Sequence, residues 1–213
     1  MRIYRVLSAL LTYPDEALIE ALPEIEQALL EMPDAAVQLS PLLEYLRSTD
    51  LIRLQENYVA EFDRSRKQSL YLFEHIHGES RERGEALLDL LREYQRCGFE
   101  PCDAADSPRE TPDYLPLFLE FLAQRPAPDA ARLLGDAIHV IALVGGRLAE
   151  RDNPYATVFS VLQGLSPVKA QPMEDAPARD MDTLLDTIGP GNDGAEPLLK
   201  PENGMVKTVK FYR

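Results

Sequence analysis

Apolar residues recur along most of this chain at the three- and four-residue steps that put side chains on one helix face. Ile3, Val6, Leu7, Leu10 and Leu11 form a first stripe; Leu18, Leu22, Ile25 and Leu29 form a second, which begins after Pro14 and should kink at Pro23. Ser40-Pro41 reads as N-cap and first position of a short helix through Leu46, and Asp50 caps another that aligns Leu51, Leu54, Tyr58 and Phe62. Asp63 to Ser69 breaks that helix, and Leu70 to Glu74 reads as a short helical turn. Ser80 caps a helix bearing Leu87, Leu88, Leu91 and Tyr94, and Gly98 stands where a terminating glycine is expected.

After a polar loop over 99–111, Thr111 reads as an N-cap, Pro112 as a first helical position and Asp113 as an acid favouring the positive end of the same helix, which runs past Pro116 through Leu119 and Leu122. Pro128 opens the longest helix, with Leu133, Leu134, Ile138, Ile141, Val144 and Leu148 marking it as central, and Gly145-Gly146 permitting a close helix approach or a bend. A last helix after Asn153-Pro154 carries Val158, Phe159 and Leu162. No convincing strand pair appears. The expected fold is all-α, a single bundle of about eight to ten helices over residues 1–167, followed over 168–213 by a Pro/Gly-rich tail expected to be largely disordered.

Composition narrows the partners. Asp and Glu outnumber Lys and Arg by 36 to 22, a net charge of −14, so the counterion release that drives nucleic-acid binding is absent and a basic partner fits better. The opening MRIYRVLSALL lacks an export signal's apolar run and cleavage site, and Ala137–Val144, interrupted by His139, falls far short of the roughly 20 residues a membrane span needs. The expectation is a cytoplasmic protein without direct membrane insertion, as monomer or homodimer. Cys97 and Cys102 make no CxxC and read as ordinary thiols.

Searches for catalytic motifs return nothing with the right context. Gly189-Pro190-Gly191-Asn192-Asp193-Gly194 satisfies GxGxxG, but no strand precedes it and proline occupies the turn. His75 and His77, two apart, point to different helix faces and ligate a metal with Glu74 and Glu79 only if the chain unwinds; His139 reads as a hydrogen-bonded core histidine. Neither an enzyme nor a bound cofactor or metal is expected.

The stretch from Gln55 to Gly84 is too charged for core and too aromatic for a linker, and it reads as one wall of a groove. It also carries a resemblance. Leu54-Gln55-Glu56-Asn57-Tyr58-Val59, Phe62-Asp63-Arg64, Ser69-Leu70, Leu72-Phe73-Glu74-His75 and His77-Gly78-Glu79-Ser80-Arg81, with Leu11-Thr12-Tyr13-Pro14-Asp15 and Pro112–Phe121, resemble the nitrate-reductase assembly chaperones of the TorD/DmsD/NarJ group. The resemblance covers residues 1 to about 165. It implies an all-helical, non-enzymatic chaperone that binds the basic amphipathic N-terminal segment of the cofactor-free catalytic subunit of respiratory nitrate reductase. It further implies that the subunit is held for molybdenum-cofactor and iron-sulfur insertion while membrane anchoring is delayed. A protein that contacts the molybdenum cofactor or a nucleotide directly is the alternative.

In the wider group a Pro-x-Asp-His-like element contributes to peptide binding; Pro112-Asp113-Tyr114 matches it, with tyrosine where relatives carry histidine. On this reading a client helix lays its apolar face between Tyr58, Phe62, Leu115 and Phe118, while Glu56, Asp113 and Glu120 meet its Lys and Arg; Arg64 and Tyr114 complete the candidate set. The same aromatic stripe could equally face the core, and Arg64 and Arg66 have Asp63 and neighbouring acids as candidate partners. The tail's Lys207, Lys210, Phe211, Tyr212 and Arg213 imitate such a client and could occupy the groove transiently.

Overall fold

The computed structural model describes residues 1–78, 80–100 and 110–173. Among them are nine α-helices: α1 (Arg2–Leu10), α2 (Glu16–Leu29), α3 (Pro33–Ser48), α4 (Leu51–Tyr58), α5 (Leu72–His77), α6 (Arg81–Arg96), α7 (Leu115–Ala123), α8 (Ala127–Ala149) and α9 (Ala156–Leu165). A π turn, Val59–Asp63, extends α4, and a 3₁₀ turn, Arg66–Gln68, follows it. The expected all-α class and helix number hold. Cys102, Glu79, the glycine-rich match at 189–194 and the basic terminus lie outside the described residues.

The stripes fold as their periods require. α1 buries Ile3, Val6, Leu7 and Leu10 against α7, and the Ser8 hydroxyl donates to the Pro116 carbonyl at 2.8 Å across that contact. α8 packs on α9 and α5, with Leu134, Ile138, Ile141, Val144 and Leu148 inaccessible or nearly so. Gly145 is where the α8–α9 approach is closest: a Cβ there would lie 2.5 Å from Phe159, whereas one on Gly146 would meet nothing within 4 Å.

Several boundaries differ from the sequence reading. α3 starts at Pro33, a full two turns before Ser40-Pro41. Proline inside a helix deprives the carbonyl four residues back of its donor, here that of Val37, and the Ser40 hydroxyl donates to that same carbonyl at 2.8 Å. The Ser-Pro pair that resembles a helix start is therefore a local repair within a helix. α2 likewise continues across Pro23, and its N-cap is Asp15, whose carboxylate accepts from the Leu18 N–H at 2.8 Å.

α6 turns Leu90 and Tyr94 inward, leaves Leu87 and Leu91 half-buried and exposes Leu88. Gly98 does end it, at φ 70°, with the Gly98 and Phe99 N–H groups donating to Gln95 and Tyr94 carbonyls. His139 is half-buried, not sealed in the core: its Nδ1 accepts from the Gln171 N–H at 3.0 Å, because Ser166–Met173 folds back along α8. Val168 comes so near Gly135 that a Cβ there would lie 2.9 Å away.

Two neighbouring glycines on α8 should respond oppositely to the same change. Gly146→Ala gains helix propensity in open space and should raise stability by about 0.5–1 kcal/mol. Gly145→Ala must push Phe159 aside and should lose about 1–3 kcal/mol. Urea unfolding of both variants checks the pair; equal effects would contradict the α8–α9 packing.

Candidate functional site

The α1–α2 loop is held against α4 by two residues of the Gln55–Gly84 stretch. Gln55 donates its side-chain amide to the Pro14 carbonyl at 2.9 Å, and the Tyr58 hydroxyl donates to the Leu11 carbonyl at 2.8 Å. Those bonds place Tyr13 edge-on to the Tyr58 ring, centroids 5.6 Å apart. Between loop and helix lies an open depression of about 520 Å³ lined by Tyr13, Ile52, Gln55, Glu56, Val59 and Arg64. Tyr13 is 46 % exposed and Ile52 70 % exposed, so apolar surface faces solvent here. Ile52, Gln55, Glu56 and Val59 follow the i, i+3, i+4, i+7 steps of one α-helical face.

Beneath the depression sits an aromatic cluster. Tyr58 packs against Phe62 at 4.8 Å and Tyr155 at 6.1 Å, and its hydroxyl meets that of Tyr114 at 3.3 Å. Tyr114 in turn lies 5.2 Å from Tyr71, whose hydroxyl donates to Glu110. The backbone joins the same parts: Tyr71 and Tyr114 form an isolated antiparallel bridge, flanked by Leu72 N–H to Asp113 O at 3.0 Å and Leu115 N–H to Leu70 O at 2.8 Å.

The nine residues named from sequence separate into two groups. Glu56 and Arg64 line the depression, Tyr114 is half-buried at the edge of the aromatic cluster, and Glu120 is exposed on α7 outside the lining. Tyr58, Phe62, Leu115 and Phe118 are at most 5 % exposed, and Asp113 is wholly buried. These five face the interior rather than a solvent-facing groove. The stripe Leu54–Tyr58–Phe62 that looked like a groove wall is the buried face of α4, and the neighbouring stripe through Ile52 and Val59 faces outward. The sequence signal for that second stripe is Ile52 and Val59, seven residues apart on the helix face opposite Leu54 and Tyr58.

Asp113 has a different task from the one its sequence position suggests. α7 begins at Leu115, with Pro116 in its first turn, so Asp113 lies before that helix. Its carboxylate accepts from the Phe73 N–H at 3.0 Å and from the Thr111 hydroxyl, with the Arg83 guanidinium 4.0 Å away. Phe73 is in the first turn of α5, so Asp113 caps a helix remote in sequence and its charge favours that helix's positive end. Replacing it leaves an uncapped N–H in a buried place: Asp113→Ala should cost about 2–3 kcal/mol in urea unfolding, and an unchanged midpoint would refute the capping role.

The histidines serve structure. His75 is buried and its Nε2–H donates to the Ser69 carbonyl at 2.8 Å; desolvation lowers its pKa. His77 stacks edge-on with Phe73, and burial lowers its pKa too. Among the described residues no group of three His, Cys, Asp or Glu side chains is placed to hold a metal.

Burial raises the pKa of Tyr58, Tyr71 and Tyr155, and pushes Tyr114 up to about 12. An unfolded tyrosine ionises near about 10. Between those values the unfolded chain releases a proton that folded Tyr114 keeps, so stability is intact below the unfolded pKa and falls as pH rises through about 12. Urea midpoints should drop above a pH of about 10, and less steeply in Tyr114→Phe than in the wild type. An identical slope in the variant would exclude Tyr114 as a contributor.

The family model described as nitrate reductase delta subunit matches residues 15–160. The Escherichia coli (strain K12) protein named "Nitrate reductase molybdenum cofactor assembly chaperone NarJ" is 41% identical over 165 residues, 76% of this chain and 68% of that one. A Bacillus subtilis (strain 168) relative, named "Probable nitrate reductase molybdenum cofactor assembly chaperone NarJ", is 34% identical over 161 residues, 75% of this chain and 85% of its own. The crystal structure of a candidate redox enzyme maturation protein from Archaeoglobus fulgidus shares the fold, with a TM-score of 0.54 at 23% identity, covering 77% of this chain and 92% of that one. Across more than two thirds of its length, this chain belongs to the nitrate reductase delta subunit family, in its NarJ-type branch.

Proposed function

We propose that this protein is an assembly chaperone for a nitrate reductase, binding the N-terminal segment of the cofactor-free catalytic subunit and holding that subunit for molybdenum-cofactor and iron-sulfur insertion. The observation that carries the reading is the 41% identity to the E. coli protein so named, sustained over 165 residues. The depression beside α4 supplies a place for the segment. An amphipathic client helix would lay its apolar side chains on Tyr13, Ile52 and Val59 and turn its basic side chains toward the acidic body.

The energetics favour reversible capture. Burying roughly 600 Å² of apolar surface contributes about 15 kcal/mol gross at 25 cal/mol per Å², and association and ordering cost roughly 4–15 kcal/mol of it. A chaperone that must let go of its client needs a small remainder. Occupying the segment keeps it from its membrane partner, so anchoring waits until the chaperone leaves. Among the described residues no helix is long and apolar enough to cross a membrane.

Co-expression with the cofactor-free catalytic subunit, with and without its N-terminal segment, tests the proposal. The tagged chaperone should retain the complete subunit and lose at least about tenfold of it when the segment is removed, a difference of about 1.4 kcal/mol. Equal retention of both forms would overturn segment recognition, and retention of neither would overturn the chaperone assignment.

A further inference from the structure

The groove's outward stripe ends on the wrong residue for an α-helix. Ile52, Gln55, Glu56 and Val59 succeed one another at α-helical steps, and the next position on that face would be Asp63, four beyond Val59. Arg64 lines the depression instead. At 3.6 residues per turn, five residues carry a side chain about 140° past a full turn, onto another face. The π turn removes that offset. Its extra residue closes the ring from the Arg64 N–H to the Val59 carbonyl, 3.0 Å, and so brings Arg64 around beneath Val59. Asp63 is rotated away and lies near enough to the Tyr58–Tyr114 hydroxyl pair to raise the pKa of both.

One inserted residue therefore reverses the sign of the charge at the groove's end. Arg64 is exposed, and no ion pair engages it among the described residues. Glu56, midway along the stripe, is met among the described residues by Arg53 at 3.5 Å, an exposed pair with both side chains more than half accessible and of little strength. A depression that carries a carboxylate at mid-length and, about two helical turns on, a guanidinium without an ion pair among the described residues has a matching ligand: an amphipathic helix with opposite charges two turns apart along its docked face.

We propose that the π turn sets the polarity of the groove, making Arg64 the specificity-determining residue that accepts a client carboxylate, while Glu56 takes a client Lys or Arg. This rests on the peptide-binding reading above and adds that the client is dipolar along its docked face, not simply basic. The guanidinium forms paired hydrogen bonds with a carboxylate, which fixes the direction in which the helix lies. Such rim charges act on selection and encounter more than on total affinity.

Two synthetic amphipathic helices with the same apolar face decide the matter, one carrying Glu and Lys two turns apart and the other Lys at both places. By fluorescence anisotropy at low salt, the full chain should bind the dipolar peptide about fivefold more tightly than the doubly basic one. The exchange Asp63→Arg with Arg64→Asp keeps the net charge and should reverse that order. Arg64→Gln, an exposed change that leaves the core untouched, should abolish the preference without reversing it. An unaltered preference in Arg64→Gln overturns the inference, as does equal binding of the two peptides by the wild type. If neither peptide binds while the catalytic subunit's segment is still retained, this inference fails and the chaperone reading stands; if the segment is not retained either, both fail.

Discussion

The hydroxyl of Tyr58 is the constraint on which the site's geometry depends. A phenol taken out of water must find partners, and this one finds the Leu11 carbonyl at the end of α1 and the Tyr114 hydroxyl before α7. Its ring meanwhile packs between Tyr13, Phe62 and Tyr155. A single side chain on α4 thus ties together the first loop, the segment before α7 and the start of α9. The exposed wall that Tyr13 offers rests edge-on against this ring.

Asp113 does for α5 what Tyr58 does for α4. α5 is six residues long, too short to persist on its own. It is kept by a carboxylate supplied from the turn before α7 and by the backbone bridge at Tyr71 and Tyr114. Asp113 is consequently a structural requirement for α5 in this chain.

The π turn shows how small a backbone irregularity can matter chemically. A regular α4 would keep Tyr58 and Phe62 on neighbouring positions of the buried face and would also carry Asp63 to the groove. The inserted residue retains both aromatics in the core, at 3 % and 5 % exposure, and presents Arg64 instead. Such insertions recur at functional places in helices, and this one separates the face that packs from the face that lines the depression.

Helix number, class and most apolar faces could be read from the sequence alone, because a 3.6-residue period in Leu, Ile and Val is a local property that burial enforces wherever the helix lands. The Asp50 cap and the Gly98 stop were legible for the same reason, each depending on a few adjacent residues. What the tertiary structure decided were partnerships between residues distant along the chain. Whether Tyr58 faced solvent or core, and which helix Asp113 capped, depended on α1, α5 and α7 meeting around them. Whether Ser40-Pro41 started a helix or repaired one turned on the preceding turns of α3. A stripe records that a side chain is apolar and aligned; only the packed neighbours determine what covers it.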